Sequence, residues 1–143
     1  MRASIIADTG GLLRALANGP DGRPAWFDFA RVLTEAGEVI VPALVLAEVD
    51  YFLKDRREAM RRLVADLLDP ETTYELEPVL ASDLARAVEL DGKFADLGLG
   101  LVDAMVAAVA ERRQVYRVLS TDRGDLGAVR VGLHYRQPLV LLP

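Results

Sequence analysis

The sequence contains no cysteine and only one histidine, His134, among its 143 residues. The absence of cysteine excludes a disulfide scaffold, a Cys-ligated zinc or iron–sulfur site, and a cysteine nucleophile. With a single histidine, a His-rich metal site or a Ser–His–Asp triad is a poor explanation of the chain. A catalytic or metal site is therefore expected to consist of oxygen-bearing side chains.

Long apolar runs are also missing. The longest, residues 39–47, contains Pro42 and ends at Glu48, whereas a membrane-spanning helix needs about 20 apolar residues. We therefore expect no membrane segment or targeting peptide, and a cytoplasmic protein. The length predicts one domain over residues 1–143, and the 52% hydrophobic content excludes a disordered chain.

Short apolar strands alternate with amphipathic helices along the chain. Strands are predicted at residues 4–6, 39–41, 72–76, 117–119 and 139–142. Helices are predicted after Asp8, from the first turn at Pro24 to a stop at Gly37, and at residues 43–53, 58–68, 83–95 (with Ser82 as its cap) and 101–113. This alternation predicts an α/β fold with a mostly parallel central sheet of four to five strands, flanked by helices.

Four carboxylates occupy positions that are unusual for a surface acid. Asp8 and Asp122 directly follow apolar strands, where ligands bind in open parallel sheets. Asp103 is the only charged residue between positions 101 and 110. Glu48 shares its helix face with four apolar or aromatic residues, Leu44, Val45, Tyr51 and Phe52.

Each of these acids also has an ordinary explanation. Asp8 and Asp122 could cap the helices that follow them. Asp103 could be stabilised by the N-terminus of its own helix, and Glu48 could pair with an arginine. The sequence alone leaves these alternatives open for each residue taken by itself.

Taken together, the four acids favour a shared site that binds a cation. At an effective dielectric constant of about 20, two carboxylates ~5 Å apart repel each other by roughly 3 kcal/mol. Converging acids therefore need raised pKa values or a bound cation, and an all-oxygen site selects Mg²⁺ or Mn²⁺. Such ions activate water and neutralise charge during the hydrolysis of phosphate esters.

Around these acids the sequence resembles the PIN-domain ribonucleases, and among them the VapC toxins of bacterial toxin–antitoxin pairs. The matching stretches are IIADT at residues 5–9, VPALVLAEV at 41–49, LVDA at 101–104 and VLSTDRGDL at 118–126. Their acids follow one another at intervals of 40, 55 and 19 residues, which fits the family. The resemblance covers the whole chain and implies a three-layer PIN-like fold.

The resemblance also implies a mechanism, in which water attacks the scissile phosphate of single-stranded or looped RNA. The implied catalytic residues, which would hold one or two Mg²⁺ or Mn²⁺ ions, are Asp8, Glu48, Asp103 and Asp122. Three further residues would support these acids, namely Thr9, Ser120 and Asp125.

The net charge of −5 argues against an RNA-binding protein, but the four acids account for most of it. Without them the chain carries 18 acidic and 17 basic side chains. RNA contacts would then fall to arginines, with Arg56, Arg57 and Arg123 as the candidates and a further basic cluster at Arg112, Arg113 and Arg117. Helical spacing favours core or dimer packing over base stacking for three aromatic residues, Trp26, Phe27 and Phe29.

The partners implied by the resemblance are an RNA substrate, a VapB-type antitoxin that blocks the acidic cleft, often by inserting an arginine, and a second copy of the chain. The RNA would be tRNA or rRNA. Residues 134–143 are similar to the ending of VapC relatives that cut the sarcin–ricin loop of large-subunit rRNA, which favours rRNA, with tRNA as the main competitor.

Three other functions compete with this one. A haloacid-dehalogenase-type phosphatase needs a second aspartate where Gly10 stands. A dinucleotide-binding domain needs a G-x-G-x-x-G motif after the first strand, which is absent. A non-catalytic PIN-like protein-interaction module remains the main alternative, and it would be favoured by weak or absent Mn²⁺ binding.

Overall fold

The computed structural model describes residues 2–143, and its strands and helices alternate for most of the chain. The strands are β1 (Ser4–Ala7), β2 (Glu38–Pro42), β3 (Tyr74–Glu77), β4 (Arg117–Leu119), β5 (Arg130–Val131), β6 (Gln137–Pro138) and β7 (Val140–Leu142). The helices are α1 (Thr9–Leu16), α2 (Phe27–Glu35), α3 (Ala43–Phe52), α4 (Arg57–Leu68), α5 (Ala81–Lys93), α6 (Gly100–Arg113) and α7 (Asp125–Ala128). Short 3-10 turns lie at Ala95–Leu97 and Leu133–Tyr135.

The central sheet has five strands in the order β3-β2-β1-β4-β7, and every neighbouring pair is parallel. Ile6 of β1 pairs with Ile40 on one side and with Val118 on the other, and all three are buried. Apolar strands of this kind are typical of a parallel sheet covered on both faces. The predicted mostly parallel sheet of four to five strands, flanked by helices, is confirmed; β5 and β6 add a small antiparallel ribbon.

Helix α6 runs through the interior. Every residue from Ala104 to Ala110 is buried, which identifies a helix surrounded by protein rather than one with a solvent face. Asp103 lies in its first turn, and Arg112 and Arg113 lie in its last turn. At a rise of 1.5 Å per residue, Asp103 and Arg112 are about 14 Å apart along the helix.

Several predicted boundaries are wrong, each for a local reason. Helix α2 begins at Phe27 because Pro24 forms an antiparallel bridge with Asn18. Helix α5 begins at Ala81, so Ser82 lies inside its first turn and does not cap it. Strand β3 covers Tyr74–Glu77 because its register is set by pairing with β2.

No helix within residues 2–143 combines the length and the hydrophobicity that are needed to cross a bilayer.

Candidate active site

Asp8 stands at the end of the central strand β1 and is buried. One carboxylate oxygen accepts a hydrogen bond from the backbone amide of Thr9 (2.8 Å), so Asp8 is also the N-cap of α1. The other oxygen accepts a hydrogen bond from the hydroxyl of Ser120 (2.9 Å). The capping role and the strand-end position therefore coexist in one side chain, and both of its oxygens are fixed in place.

Ser120 connects Asp8 to Asp122. It follows β4, the neighbour of β1, and it is fully buried. Its hydroxyl oxygen accepts a hydrogen bond from the backbone amide of Asp122 (3.0 Å), while the carboxylate of Asp122 accepts one from the backbone amide of Asp125 (3.0 Å). Asp125 thus reaches the site through its backbone, and its own side chain is exposed.

The approach of α1 to the end of β4 depends on a glycine. A Cβ atom at Gly11 would overlap the backbone carbonyl of Leu119 and crowd the amide of Ser120. Only a residue without a side chain lets the first turn of α1 rest directly on this strand end. That contact brings the hydroxyl of Ser120 within reach of Asp8.

Glu48 and Asp103 approach the same place from two helices. Both are half-buried, Glu48 on α3 and Asp103 in the first turn of α6. Burial raises the pKa of Asp103 to about 7, with further contributions from the charges of Asp8, Asp122 and Glu48 and from a hydrogen-bond contact with Asp122. The structure therefore brings the four predicted acids together.

Asp8 responds to the same environment. Burial raises the pKa of its carboxyl above the usual value. The hydrogen bonds from Thr9 and Ser120 oppose this shift, and the charges of Glu48 and Asp122 add to it. Two of the four acids thus favour the protonated state more than a free aspartate does, because burial penalises their charged form and the neighbouring carboxylates repel it.

Within the described chain, none of the four acids takes part in an ion pair. The hydroxyl of Thr9 is buried without a hydrogen-bond partner. An all-carboxylate donor set with unpaired charge suits Mg²⁺ or Mn²⁺ in its chemistry. Across residues 2–143, however, no group of three or more His, Cys, Asp or Glu side chains is arranged so that it could hold a metal ion as it stands.

The candidate RNA-contact arginines differ in their surroundings. Arg57 donates to Asp50 in an ion pair of 2.7 Å, and Arg123 donates to the carbonyl of Pro143 (3.0 Å). Arg56 is exposed and makes no ion pair in the described part of the chain. All three are accessible at least in part, but only Arg56 has a fully uncommitted charge.

The second predicted basic cluster is a structural network. Arg112 pairs with Asp83 (2.9 Å) and with Glu77, and Arg113 pairs with Glu77 (2.6 Å) and with two acids of the neighbouring strands, Glu38 and Glu75. These arginines are occupied within the protein, so the suggestion that they contact RNA is wrong for Arg112 and Arg113.

Sequence reasoning missed the buried acids of this network, Glu77 and Asp83. A signal for Asp83 was present, because it lies on one helical face with Ala87 and Leu90, which are both buried. The opposite error affects α3, where Tyr51 and Phe52, predicted on an apolar face with Glu48, are exposed. Of the three aromatic residues that spacing assigned to packing, Phe29 is buried while Trp26 and Phe27 are exposed.

Comparisons with known proteins agree with this fold. The model of the PIN domain family matches residues 5–130. VapC20 of Mycobacterium tuberculosis, a sarcin–ricin loop cleaving toxin, superposes with a TM-score of 0.65 and 24% identity over 82% of this chain and 89% of that one. VapBC2 of Rickettsia felis, bound to a DNA fragment from their promoter, superposes with a TM-score of 0.63 and 16% identity over 96% of both chains. No curated protein is significantly similar.

Proposed function

Because the chain belongs to the PIN domain family, we propose that it is a metal-dependent endoribonuclease toxin of the VapC type, which hydrolyses phosphodiester bonds in RNA. The observation that carries the proposal is the convergence of Asp8, Glu48, Asp103 and Asp122 with no cationic partner among the residues that the structure describes. Unpaired, partly buried carboxylates destabilise a fold. Their presence together in one place therefore favours a functional site.

The side chains of this site would divide the work as follows. Asp8, fixed through both oxygens by Thr9 and Ser120, would provide a rigid ligand for Mg²⁺ or Mn²⁺, and Glu48, Asp103 and Asp122 would complete the set. When bound, the ion would activate a water molecule and neutralise charge on the scissile phosphate. Ser120 would hold Asp8 and Asp122 in register, as a positioning residue.

Asp103 would act as the proton-sensitive member of the site. With its pKa near 7, the carboxyl of Asp103 would be partly protonated at neutral pH while no cation is bound to the four acids. It would release this proton when the site is loaded, since a nearby positive charge favours the ionised form. Loading would then be coupled to proton release.

The substrate we propose is the sarcin–ricin loop of large-subunit rRNA, with tRNA as the competitor. The structural likeness to VapC20 supports rRNA, and so does the chain ending at residues 134–143. Leu133, just before that stretch, and His134, its first residue, are exposed, while Tyr135 packs edge-on against Phe94, so a fixed turn presents the two side chains to solvent.

The partners we propose are a VapB-type antitoxin and a second copy of the chain. The likeness to the VapBC2 complex supports the antitoxin. Four carboxylates without a cation also form a suitable receptor for an inserted arginine, because its guanidinium can bind two carboxylate oxygens at once.

The test is cleavage of RNA by the antitoxin-free protein in Mg²⁺, Mn²⁺ or EDTA, on intact ribosomes and on tRNA in parallel, with mapping of new 5′ ends. Asp103→Asn is the control for contaminating nuclease. We expect discrete ends that require metal and are absent with the variant. Ends in 23S rRNA would identify the proposed loop, and ends in tRNA would replace it.

A clear failure is also defined. If folded wild-type protein cleaves neither ribosomes nor tRNA at millimolar Mn²⁺, and calorimetry detects no Mn²⁺ binding, the nuclease proposal is wrong. The non-catalytic protein-interaction module would then be the better description of the chain, and the acidic site would be a receptor for a basic protein segment.

A further inference from the structure

Two aromatic side chains lie exposed beside the candidate active site. Tyr51 and Phe52 follow Glu48 by three and four positions on α3, so they lie on the same face of the helix, one turn further along. Their side chains are 63% and 59% exposed. Their rings meet edge to face, with centroids 5.6 Å apart, which holds the pair in a defined arrangement.

Positive charge surrounds this aromatic pair. The ammonium group of Lys54 lies 5.0 Å from the ring centroid of Tyr51. Residues 49–62 carry five basic and three acidic side chains in a chain whose net charge is −5. Four of the five bases make no ion pair in the part of the chain that the structure describes, namely Lys54, Arg56, Arg61 and Arg62.

Exposed aromatic rings beside uncommitted cations are the features by which proteins bind single-stranded nucleic acid. The rings stack on bases and the cations follow the phosphates. We propose that Tyr51, Phe52, Lys54 and Arg56, termed here the α3 platform, bind unpaired nucleotides of the RNA substrate next to the scissile phosphate. The inference rests on the proposed function, since it concerns the RNA that the site would cleave.

Continuity with the site and charge both favour RNA over a protein as the occupant. The platform begins one helical turn from Glu48, so a strand whose phosphate lies at the acids would pass over it. Trp26 and Phe27 are exposed as well, but Arg14 covers the face of Trp26 at 4.0 Å and also lies 5.4 Å from the ring centroid of Phe29. Lys54 lies further from Tyr51, at 5.0 Å, and Phe52 has no cation over its ring in the described part of the chain, which leaves the α3 platform as the better stacking surface.

The test is equilibrium binding of the full chain to a fluorescein-labelled 12-nucleotide RNA of mixed sequence, single-stranded or annealed to its complement. It uses an Asp103→Asn background in Mg²⁺, so that affinity is measured without cleavage. Added to that background are Tyr51→Ala, Phe52→Ala, Tyr51→Phe and, as the matched control, Phe27→Ala, whose side chain is 68% exposed.

We expect Tyr51→Ala and Phe52→Ala each to weaken binding of the single strand by about 5- to 100-fold, the range for loss of one stacked base. Tyr51→Phe keeps the stacking ring and should stay within about twofold, as should Phe27→Ala. Binding of the duplex should change little in any variant, because paired bases are not free to stack. In the cleaving protein, the same substitutions should raise KM more than they lower kcat.

Unchanged single-strand affinity in both alanine variants would overturn the proposal. So would a loss of homodimer in sedimentation velocity with no change in RNA affinity, because the platform would then be an interface between two copies. The nuclease proposal can fail independently of the platform. If RNA binding depends on Tyr51 and Phe52 but no divalent metal supports cleavage, the platform is supported and the nuclease reaction is not. Cleavage of RNA with normal binding by the alanine variants supports the reaction and not the platform.

Discussion

The two ends of the buried helix α6 each meet four carboxylates, and the protein treats the two groups in opposite ways. The site acids, at the start of the helix, are Asp8, Glu48, Asp103 and Asp122, and within residues 2–143 none of them pairs with a cation. The paired acids, at its end, contact Arg112 and Arg113 and are Glu38, Glu75, Glu77 and Asp83.

The pKa values record this difference. At the paired end, the hydrogen bonds that Arg112 donates to Asp83 and Glu77 raise the pKa of Arg112, and hydrogen bonds with Glu38 and Arg113 lower the pKa of Glu75. At the site end, burial and neighbouring carboxylates raise the pKa of Asp103 to about 7. The acids at the paired end have their charge compensated by arginines, whereas those at the site end make no ion pair in the described chain.

The largest expected effect comes from neutralising one acid in each group. Glu48→Gln should lower RNA cleavage by at least about 100-fold, since it removes a negative charge that would help to hold the metal ion, and it should leave the free energy of unfolding unchanged or higher. Glu77→Gln should lower that free energy by about 2 kcal/mol through weaker hydrogen bonds to two arginines. Its cleavage rate per folded molecule should be normal. Urea denaturation and cleavage assays measure both, and the reverse pattern would contradict the division.

The paired group can also be broken from the side of its cation. Arg112→Met removes one arginine partner from each of the buried carboxylates of Glu77 and Asp83. We expect it to lower the free energy of unfolding by about 3 kcal/mol, the lower end of the range for breaking a buried ion pair, because Arg112 is one-third exposed. Arg31→Met is the matched control, because its ion pair with Glu35 is exposed. Equal denaturation midpoints for the two variants would show that the network adds no stability.

A smaller effect should follow pH in the metal-free protein. The pKa of Asp103 is higher in the folded state than in the unfolded chain, so the folded state binds more protons between about pH 4 and 7. The contribution of Asp103 is present below its unfolded pKa and is lost as pH rises through about 7. In EDTA, the melting temperature of Asp103→Asn relative to that of the wild type should therefore rise from pH 5 to pH 8. Parallel curves would mean that Asp103 is not perturbed.

The smallest expected effect compares a free arginine with a paired one. Arg56→Ala should weaken RNA binding several-fold and lower the slope of log affinity against log salt by about 1, the value for one lost phosphate contact. Arg57→Ala should change both less, because Asp50 already balances its charge. Titrations at several salt concentrations measure the two slopes, and a larger change for Arg57 would reverse the assignment.

Some features follow from local sequence. The apolar strands before Asp8 and Asp122 predict the sheet and the positions of both acids at its edge, because strand period and turn residues act over a few positions. Asp103 stands out as a lone charge in a run of apolar residues. In the same way, the hydroxyl at Ser120 could be identified as a supporting group by resemblance, and the structure places it against Asp8.

Other features depend on contacts between distant segments. Nothing local shows that Arg112 faces Asp83, 29 residues away, or that Tyr51 and Phe52 remain exposed. The first needs α5 to pack along α6, and the second needs the core to be filled without the end of α3. Gly11 is a similar case, since only the position of Leu119 shows why a side chain is excluded there.

The sequence by itself thus determined the alternation of strands and helices, a mostly parallel sheet of four to five strands and the four candidate acids, because hydrophobic period and residue chemistry are local properties. Only the tertiary structure decided which charges are compensated. Compensation depends on distances of a few ångströms between groups far apart in the chain, and that geometry separates the acids paired with Arg112 and Arg113 from the four carboxylates that make no ion pair in the described residues.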